Sequence, residues 1–451
     1  MRRRLPSLRR VPFAALLLWS VALPAQERAR AARPSPDWLR DGVVYELFPR
    51  AFSPEGTFDA ITARLPELQR LGVTVVWLMP IHPIGAAKRK GTVGSPYAVR
   101  DFRAVNPDYG TPDDLRRLVR AAHALGLKVI IDLVANHTAW DNVLMRTPSW
   151  YERDGAGRIL SPYDWTDVAA LDYANPAVRQ YMRETMVQWV RDYDLDGFRC
   201  DVAGEVPVDF WEEARRAVEA VKPDVMLLAE AHEPALLREA FDVDYAWPLY
   251  HAMKDALLGV RPATAIREAW EAERAAYPAG ALHLRIADNH DERRAITFFG
   301  ERGALAASAL VFTLDGVPML YNGMEVGDAT ESMAPALFER LPIFWGIRAR
   351  RPEFPAFYAA MVPLRRALPA LRRGAVRWVA SSDERRVVTF VRHEAGEEVL
   401  VAINLSNQPF TGTVEVGGAG WVERTPGAAR EVALPALALG PWEWRLFRRG
   451  P

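Results

Sequence analysis

The run "LDGFRCDVAGEV", from Leu195 to Val206, puts Arg199 and Asp201 two positions apart at the end of an apolar-leaning stretch. Side chains two apart on a strand face the same way, so both project to one side at the strand's end. A guanidinium beside a carboxylate favours the ionised form, and an ionised, positioned Asp is what a nucleophile needs. Glu230 closes a more apolar run, "VMLLAE". A carboxyl in such surroundings tends to keep its proton and can serve as a general acid. Two carboxyl groups of split acidity on adjacent strands suit retaining glycoside hydrolysis, which wants them about 5–5.5 Å apart.

Other apolar runs end in the same manner. "LKVIIDLVANH" carries Asp132, Asn136 and His137, and "LHLRIADNHD" ends in Asn289, His290 and Asp291. Asp291 would be a third carboxylate, able to stabilise a cationic sugar or grip its hydroxyls. His137 and His290 would donate hydrogen bonds to sugar hydroxyls. Any one of these residues reads equally well as a helix cap or a satisfied core polar group; the set is harder to dismiss. A metal site competes, because Asp132, His137, Asp201, Glu230, His290 and Asp291 are all possible ligands. The chain has no HxH or HExxH spacing, however, and Arg199 beside Asp201 would repel a cation.

Something must bring these strand ends together. From about Val43, short apolar runs alternate with longer helical stretches such as "TPDDLRRLVRAAHALG", which has a Thr N-cap, early Asp residues and a closing Gly. The strand candidates are "GVVYELFP", "VTVVWLMP", "LKVIIDLVANH", "LDGFRCDVA", "VMLLAEAHE", "FDVDYAW", "LHLRIADNHD" and "GVPMLYNG". Eight strands alternating with helices predict an α/β fold, a parallel (β/α)8 TIM barrel, whose sites collect at the C-terminal strand ends. An open, doubly wound sheet has the same alternation. Between 138 and 172 the period is lost in a stretch rich in Trp, Tyr, Asp and Pro, and a loop that long is usually functional. From about 369 the pattern turns to alternating strands with turns, as expected of a small antiparallel β-sandwich domain. The barrel is thus expected over 37–137 and 173–368.

The chain of 451 residues has 57 Lys and Arg against 57 Asp and Glu, a balance that attracts neither nucleic acid nor an anionic membrane. "MRRRLPSLRR" followed by "VPFAALLLWSVALPA" has the layout of a signal peptide over 1–25, too short in its apolar part for a mature membrane helix. An uncleaved anchor is the alternative. Five Arg and no acid would leave with that segment, taking the formal charge from 0 to −5. Export to the periplasm or medium is therefore expected, with no membrane partner beyond it. Residues 26–36 read as an exposed linker. Cys200 is the single cysteine, so no internal disulfide forms; between Arg199 and Asp201 it points the opposite way, as a small buried residue.

At these residues the chain resembles glycoside hydrolase family 13, the α-amylase family, from about Val43 to the C-terminus. "DLVANH", "GFRCDVA", "LAEAH" and "ADNHD" resemble the family's four motifs in order, and "GSPYAVRDFRAVNPDYGT" and "GVPMLYNGMEVG" its flanking segments. The resemblance implies Asp201 as nucleophile, Glu230 as general acid/base and Asp291 as the transition-state-stabilising aspartate. It implies Tyr97, His137, Arg199 and His290 around the bound sugar, with Tyr97 stacked beneath it. It also implies that 138–172 is domain B and 369–451 domain C. "DVAGEV" is similar to the second motif of neopullulanase and maltogenic amylase relatives. Gly204 and Glu205 stand where starch-type α-amylases carry a Lys-His pair, and domain B is short, so a short substrate is expected.

Asn136 matches a residue that binds structural calcium in many relatives; no cofactor is needed for the chemistry. Of the tryptophans, Trp77 is expected in the core, whereas Trp140, Trp150, Trp165 and Trp345 could stack on sugar. The expected function is retaining hydrolysis of α-glucosidic, mainly α-1,4, bonds in maltooligosaccharides or related α-glucans. Transglycosylation or isomerisation uses the same residues. A non-catalytic binding relative typically lacks a carboxylate that this chain keeps. The sequence leaves the oligomeric state open.

Overall fold

A computed structural model describes residues 31–428 and 433–450. The expected signal peptide over 1–25 lies outside the described residues. Eight parallel strands close into a barrel: β1 (Val44–Leu47), β2 (Val75–Leu78), β3 (Lys128–Leu133), β4 (Gly197–Cys200), β5 (Met226–Ala229), β6 (Val243–Tyr245), β7 (His283–Arg285) and β8 (Val317–Tyr321). Each pairs with its sequence neighbours, and β8 returns to β1 with Val44 opposite Met319. That last pairing decides between the closed barrel and the open sheet. The strands are short and buried on both faces, which is why they read as continuous apolar runs.

Local signals set the helices that follow. Thr111 caps the helix Pro112–Ala124 in a reciprocal box: Asp114 N donates to Thr111 Oγ1 at 3.2 Å, and Thr111 N donates to Asp114 Oδ2 at 2.7 Å. The chain leaves this helix through Gly126, whose φ of 74° suits glycine. Asn175 caps the helix Pro176–Tyr193 by accepting from Ala177 N at 3.0 Å.

The irregular segment after β3 is built on a two-stranded hairpin, His137–Ala139 against Val168–Ala170, with two single-turn 3₁₀ helices between. Toward the C-terminus, five antiparallel strands lie in the spatial order Ala375–Trp378, Val387–Glu394, Glu397–Asn404, Trp444–Arg449, Val422–Glu423. The pair Phe410–Thr413 and Ala436–Leu439 packs on them around Val391, Leu400, Trp421 and Phe447. Buried Arg392 ties this domain to the barrel, donating to Thr313 O at 2.7 Å.

The expected linker behaves differently from an exposed tether where it is described. Ala32 N donates to Ala279 O at 2.9 Å, and Arg33 pairs with Glu219 and with buried Asp242. Arg33 thereby supplies a counter-charge that Asp242 needs, since a buried carboxylate is costly alone.

Candidate active site

The strand register explains why the carboxylates meet. Asp132 lies opposite Arg199, and Arg199 opposite Leu228. Asp201 and Glu230 each stand two residues further on, and so emerge on the same inward side at the barrel mouth. Arg199 sits among them, fully buried. Its Nη1 donates to Asp132 Oδ1 at 2.9 Å and to Asp201 Oδ1 at 2.8 Å, while Nη2 lies 2.6 Å from Glu230 Oε1. Trp77 lies inside the barrel beneath this group, its ring 5.2 Å from the guanidinium carbon, in the core role expected of it.

One guanidinium cannot neutralise three carboxylates, and burial favours their uncharged forms. Burial holds Glu230 well above the ordinary carboxylate range in spite of Arg199, with Asp201 and Asp291 pushing the same way. Burial likewise takes Asp132 up to about 7 against the pull of Arg199. Glu230 is therefore a carboxyl that keeps its proton well above the pH at which an exposed carboxylate loses it. Glu230 Oε2 also accepts from Val202 N at 2.8 Å. Val202 reaches that position in the left-handed region, φ 37° and ψ 49°, an uncommon conformation for a β-branched residue.

Across the mouth, His290 Nε2 lies 3.0 Å from Asp291 Oδ2 and 2.7 Å from Tyr97 OH, and its Nδ1 meets Glu46 on β1. Burial disfavours a charged His290, but Asp291 and Glu46 outweigh it and raise its pKa well above the usual value. Burial pushes Asp291 up; the charge of His290 outweighs it and brings Asp291 down to about 2. Asp291 keeps an open face toward the cavity, 40% exposed, whereas Glu46 is sealed. Tyr97 stacks on His290 with ring centroids 5.4 Å apart, and its hydroxyl donates to Asp132 Oδ2 at 3.1 Å.

These groups face a cavity of about 450 Å³ lined by Tyr97, His137, Asp201, Glu230, His290 and Asp291, together with Trp165. His137 Nε2 is 4.0 Å from Asp201 Oδ2. The arrangement offers a protonated carboxyl, a carboxylate fixed by a guanidinium, a second anion paired with an imidazolium, and hydrogen-bond donors around a small polar ligand. That set can protonate a departing oxygen, attack the carbon it leaves and stabilise positive charge between.

Of the four candidate stacking tryptophans, only Trp165 reaches the cavity, edge-on to His137 with centroids 5.5 Å apart. Trp140 lies under Lys88, 3.3 Å from its ring centre, and donates to Thr166 O at 3.1 Å. Trp150 packs on Tyr181, and Trp345 packs on Phe52 and donates to its carbonyl at 2.7 Å. Those three serve packing of the loops rather than the cavity. Asn136 Nδ2 makes a 3.3 Å contact with His137 Nδ1, and Asn136 O accepts from Leu171 N at 3.0 Å, so both groups hold the hairpin to β3. Among the described residues no three His, Cys, Asp or Glu side chains gather as a metal site.

Sequence reasoning passed over Glu46, although a charged residue inside "VVYELFP" was a visible signal. It also passed over Lys90, Leu337 and Phe338, which line the cavity from loops remote in sequence.

The family described as "Alpha amylase, catalytic domain" matches residues 39–156 and 150–340. Alpha-amylase MalA of Haloarcula japonica is 31% identical over 404 residues, 85% of this chain and 58% of that protein, so this chain spans somewhat over half of its length. A cyclomaltodextrinase of Geobacillus thermopakistaniensis is 27% identical over 463 residues, 90% of this chain and 73% of that protein. Among solved structures, the noncanonic maltogenic alpha-amylase AmyB of Thermotoga neapolitana superposes with a TM-score of 0.84 at 29% identity, covering 92% of this chain and 99% of that one. An alpha-amylase of Lactobacillus plantarum does so with a TM-score of 0.82 at 32% identity, covering 91% and 99%. Sequence and fold agree with the barrel mouth, and the chain belongs to the α-amylase family of glycoside hydrolases.

Proposed function

We propose that this protein is an exported, retaining hydrolase of α-glucosidic, mainly α-1,4, bonds in maltooligosaccharides or related α-glucans. The observation that carries the reading is the shared guanidinium: Arg199 holds Asp201 at 2.8 Å and Glu230 at 2.6 Å. Two carboxyl groups held by one small cation favour the retaining spacing of about 5–5.5 Å over the wider inverting one.

With a sugar on the Tyr97 face, Glu230 gives its proton to the departing glycosidic oxygen. Asp201 attacks the anomeric carbon as that bond breaks, giving a covalent glycosyl-enzyme. Arg199 fixes the attacking oxygen, and Asp291 with His290 steadies the cationic sugar and its hydroxyls. Glu230, now a carboxylate, takes a proton from water, which displaces Asp201 and releases the sugar in its original α configuration. Glu230 carries both proton transfers, so the reading needs no cofactor for the chemistry. The charged, then apolar, start of the chain supports export to the periplasm or medium.

A second reading keeps the same intermediate but passes it to a sugar acceptor. Exposed Tyr163, 68% accessible and 4.9 Å from Trp165, favours it by offering an aromatic platform at the cavity rim. The test is product analysis on maltooligosaccharides, soluble starch, pullulan and trehalose, with Asp201→Ala and Glu230→Gln as controls and early anomers read by NMR. Shorter α-anomeric products from the wild type alone support hydrolysis. Longer or isomeric products move the reading to transfer, and near-normal turnover by either variant overturns the assignment.

A further inference from the structure

The cavity is closed along one arc of the barrel mouth. The segment after β2 meets the helix Met333–Phe338 after β8, and both are clamped by buried Arg50 from the turn after β1. Arg50 Nη1 donates to Gly94 O at 3.0 Å and Nη2 to Leu337 O at 2.8 Å. Val93 N donates to Phe338 O at 3.1 Å, and Thr92 N to Glu339 Oε1 at 3.0 Å. The two segments approach so closely at Gly91, φ 64°, that a Cβ there would stand 2.5 Å from Phe338 Cβ. Lys90 completes the join on the hairpin side, with Nζ 2.9 Å from Asp167 Oδ1 and 5.8 Å from the ring centre of Phe338. Lys90, Asp167, Leu337 and Phe338 all line the cavity.

Barrel order fixes where this wall stands. Strands β8, β1 and β2 are neighbours, whereas Glu230 and Val202 follow β5 and β4 on the opposite side. The acid must face the departing oxygen, so the leaving group lies over β4 and β5. In a 4-linked glucose ring the oxygen that continues the chain toward its non-reducing end sits across the ring from the anomeric carbon. That oxygen therefore faces the wall. The leaving-group side carries Tyr163, exposed and hydrogen-bonded to Glu205 in the segment after β4.

We infer that the glycone side of this site is a blind pocket, so that the enzyme works inward from non-reducing chain ends, with the Lys90–Asp167 pair as a specificity-determining strut. The inference rests on the α-glucan reading above. A chain running on past the wall would have to break the Lys90 contact and the backbone bond from Val93 to Phe338. Discrimination can be reached by building a clash against the disfavoured substrate as well as by added contacts to the favoured one.

The experiment compares initial consumption of maltoheptaose with that of maltoheptaose capped by a 4,6-O-benzylidene acetal at its non-reducing end, followed by chromatography. Wild type is expected to consume the capped chain at least about 100-fold more slowly. In Lys90→Ala and in Lys90→Ala/Phe338→Ala, the capped-to-uncapped ratio is expected to rise about tenfold or more. Comparable wild-type rates on both chains overturn the blind pocket. A low wild-type ratio unchanged in both variants overturns the strut. Consumption of neither chain by wild type brings down the α-glucan reading itself, and this inference with it.

Discussion

His290 donates through Nδ1 to Glu46, a carboxylate fully buried inside β1, and the same imidazole reaches Asp291 at 3.0 Å. Glu46 touches no space a sugar could occupy; it acts through His290 as a positioning residue. Replacing it by Gln keeps the shape and removes one of the two anions that raise His290. The imidazolium should then lose its proton at lower pH. Glu46→Gln is expected to shift the alkaline limb of kcat/KM toward acid and to reduce the plateau by about 10- to 100-fold, the range found when the carboxylate partner of a metal-bound His is lost. The pH profile checks this, because a purely structural role would lower the plateau without moving the limb.

The barrel was legible because its eight strands are buried on both faces and read as short, mainly apolar runs, several of which end in polar residues at the mouth. Asp132, Arg199, Asp201, Glu230 and Asp291 stood out against that apolar background. Glu46 was equally visible in type but sits within its run rather than at its end, so strand-end reasoning did not reach it. The wall was not legible, since Lys90 and Phe338 are brought together only by closure of β8 onto β1. Loop tryptophans carry no directional signal: Trp165 faces the cavity, while Trp140 and Trp150, from the same segment, face protein.

Burial keeps Glu230 protonated well above the ordinary carboxylate range, and the reaction needs that proton in its first step. Activity should therefore persist above the ordinary carboxylate range and fall on the alkaline side as Glu230, like His290, loses its proton. Glu230→Gln cannot protonate the leaving oxygen and is expected to lose about 10²- to 10⁴-fold on maltooligosaccharides. The loss should be much smaller on α-glucosyl fluoride in the glycosylation step, since fluoride leaves without a proton. Burst kinetics on the fluoride measure that step; an equal loss on both substrates would remove Glu230 from the acid's role.

At the opposite end of the barrel, Asp196 is 1% exposed and accepts from Val129 N at 2.8 Å. It also meets His123 at 2.7 Å, Lys128 at 3.0 Å and Lys222 at 2.9 Å. Burial would raise its pKa, but His123, Lys222 and the Val129 amide together hold it far below the usual carboxylate range. A carboxylate lowered on folding adds stability that is present above its unfolded pKa and lost as pH falls through the folded one. Asp196→Asn is expected to cost about 3 kcal/mol at neutral pH and to flatten the acid limb of stability below about pH 4. Urea titrations between neutral and acid pH measure both effects.

Val202 stands in the left-handed region at φ 37° so that its amide can meet Glu230 Oε2 at 2.8 Å. A β-branched residue there costs about 1–3 kcal/mol, and such strain persists where the surroundings enforce it. Glycine adopts the same dihedrals freely, though its looser unfolded chain gives back about 0.4–1 kcal/mol. Val202→Gly is therefore expected to raise stability by about 1 kcal/mol, the difference between those contributions. The same freedom loosens the amide that orients the acid, so kcat should fall while KM changes little. Chemical denaturation and steady-state kinetics on one preparation read the two together. A less stable Val202→Gly protein would mean that the turn stores no strain, and an unchanged kcat would mean that the Val202 amide does not orient Glu230.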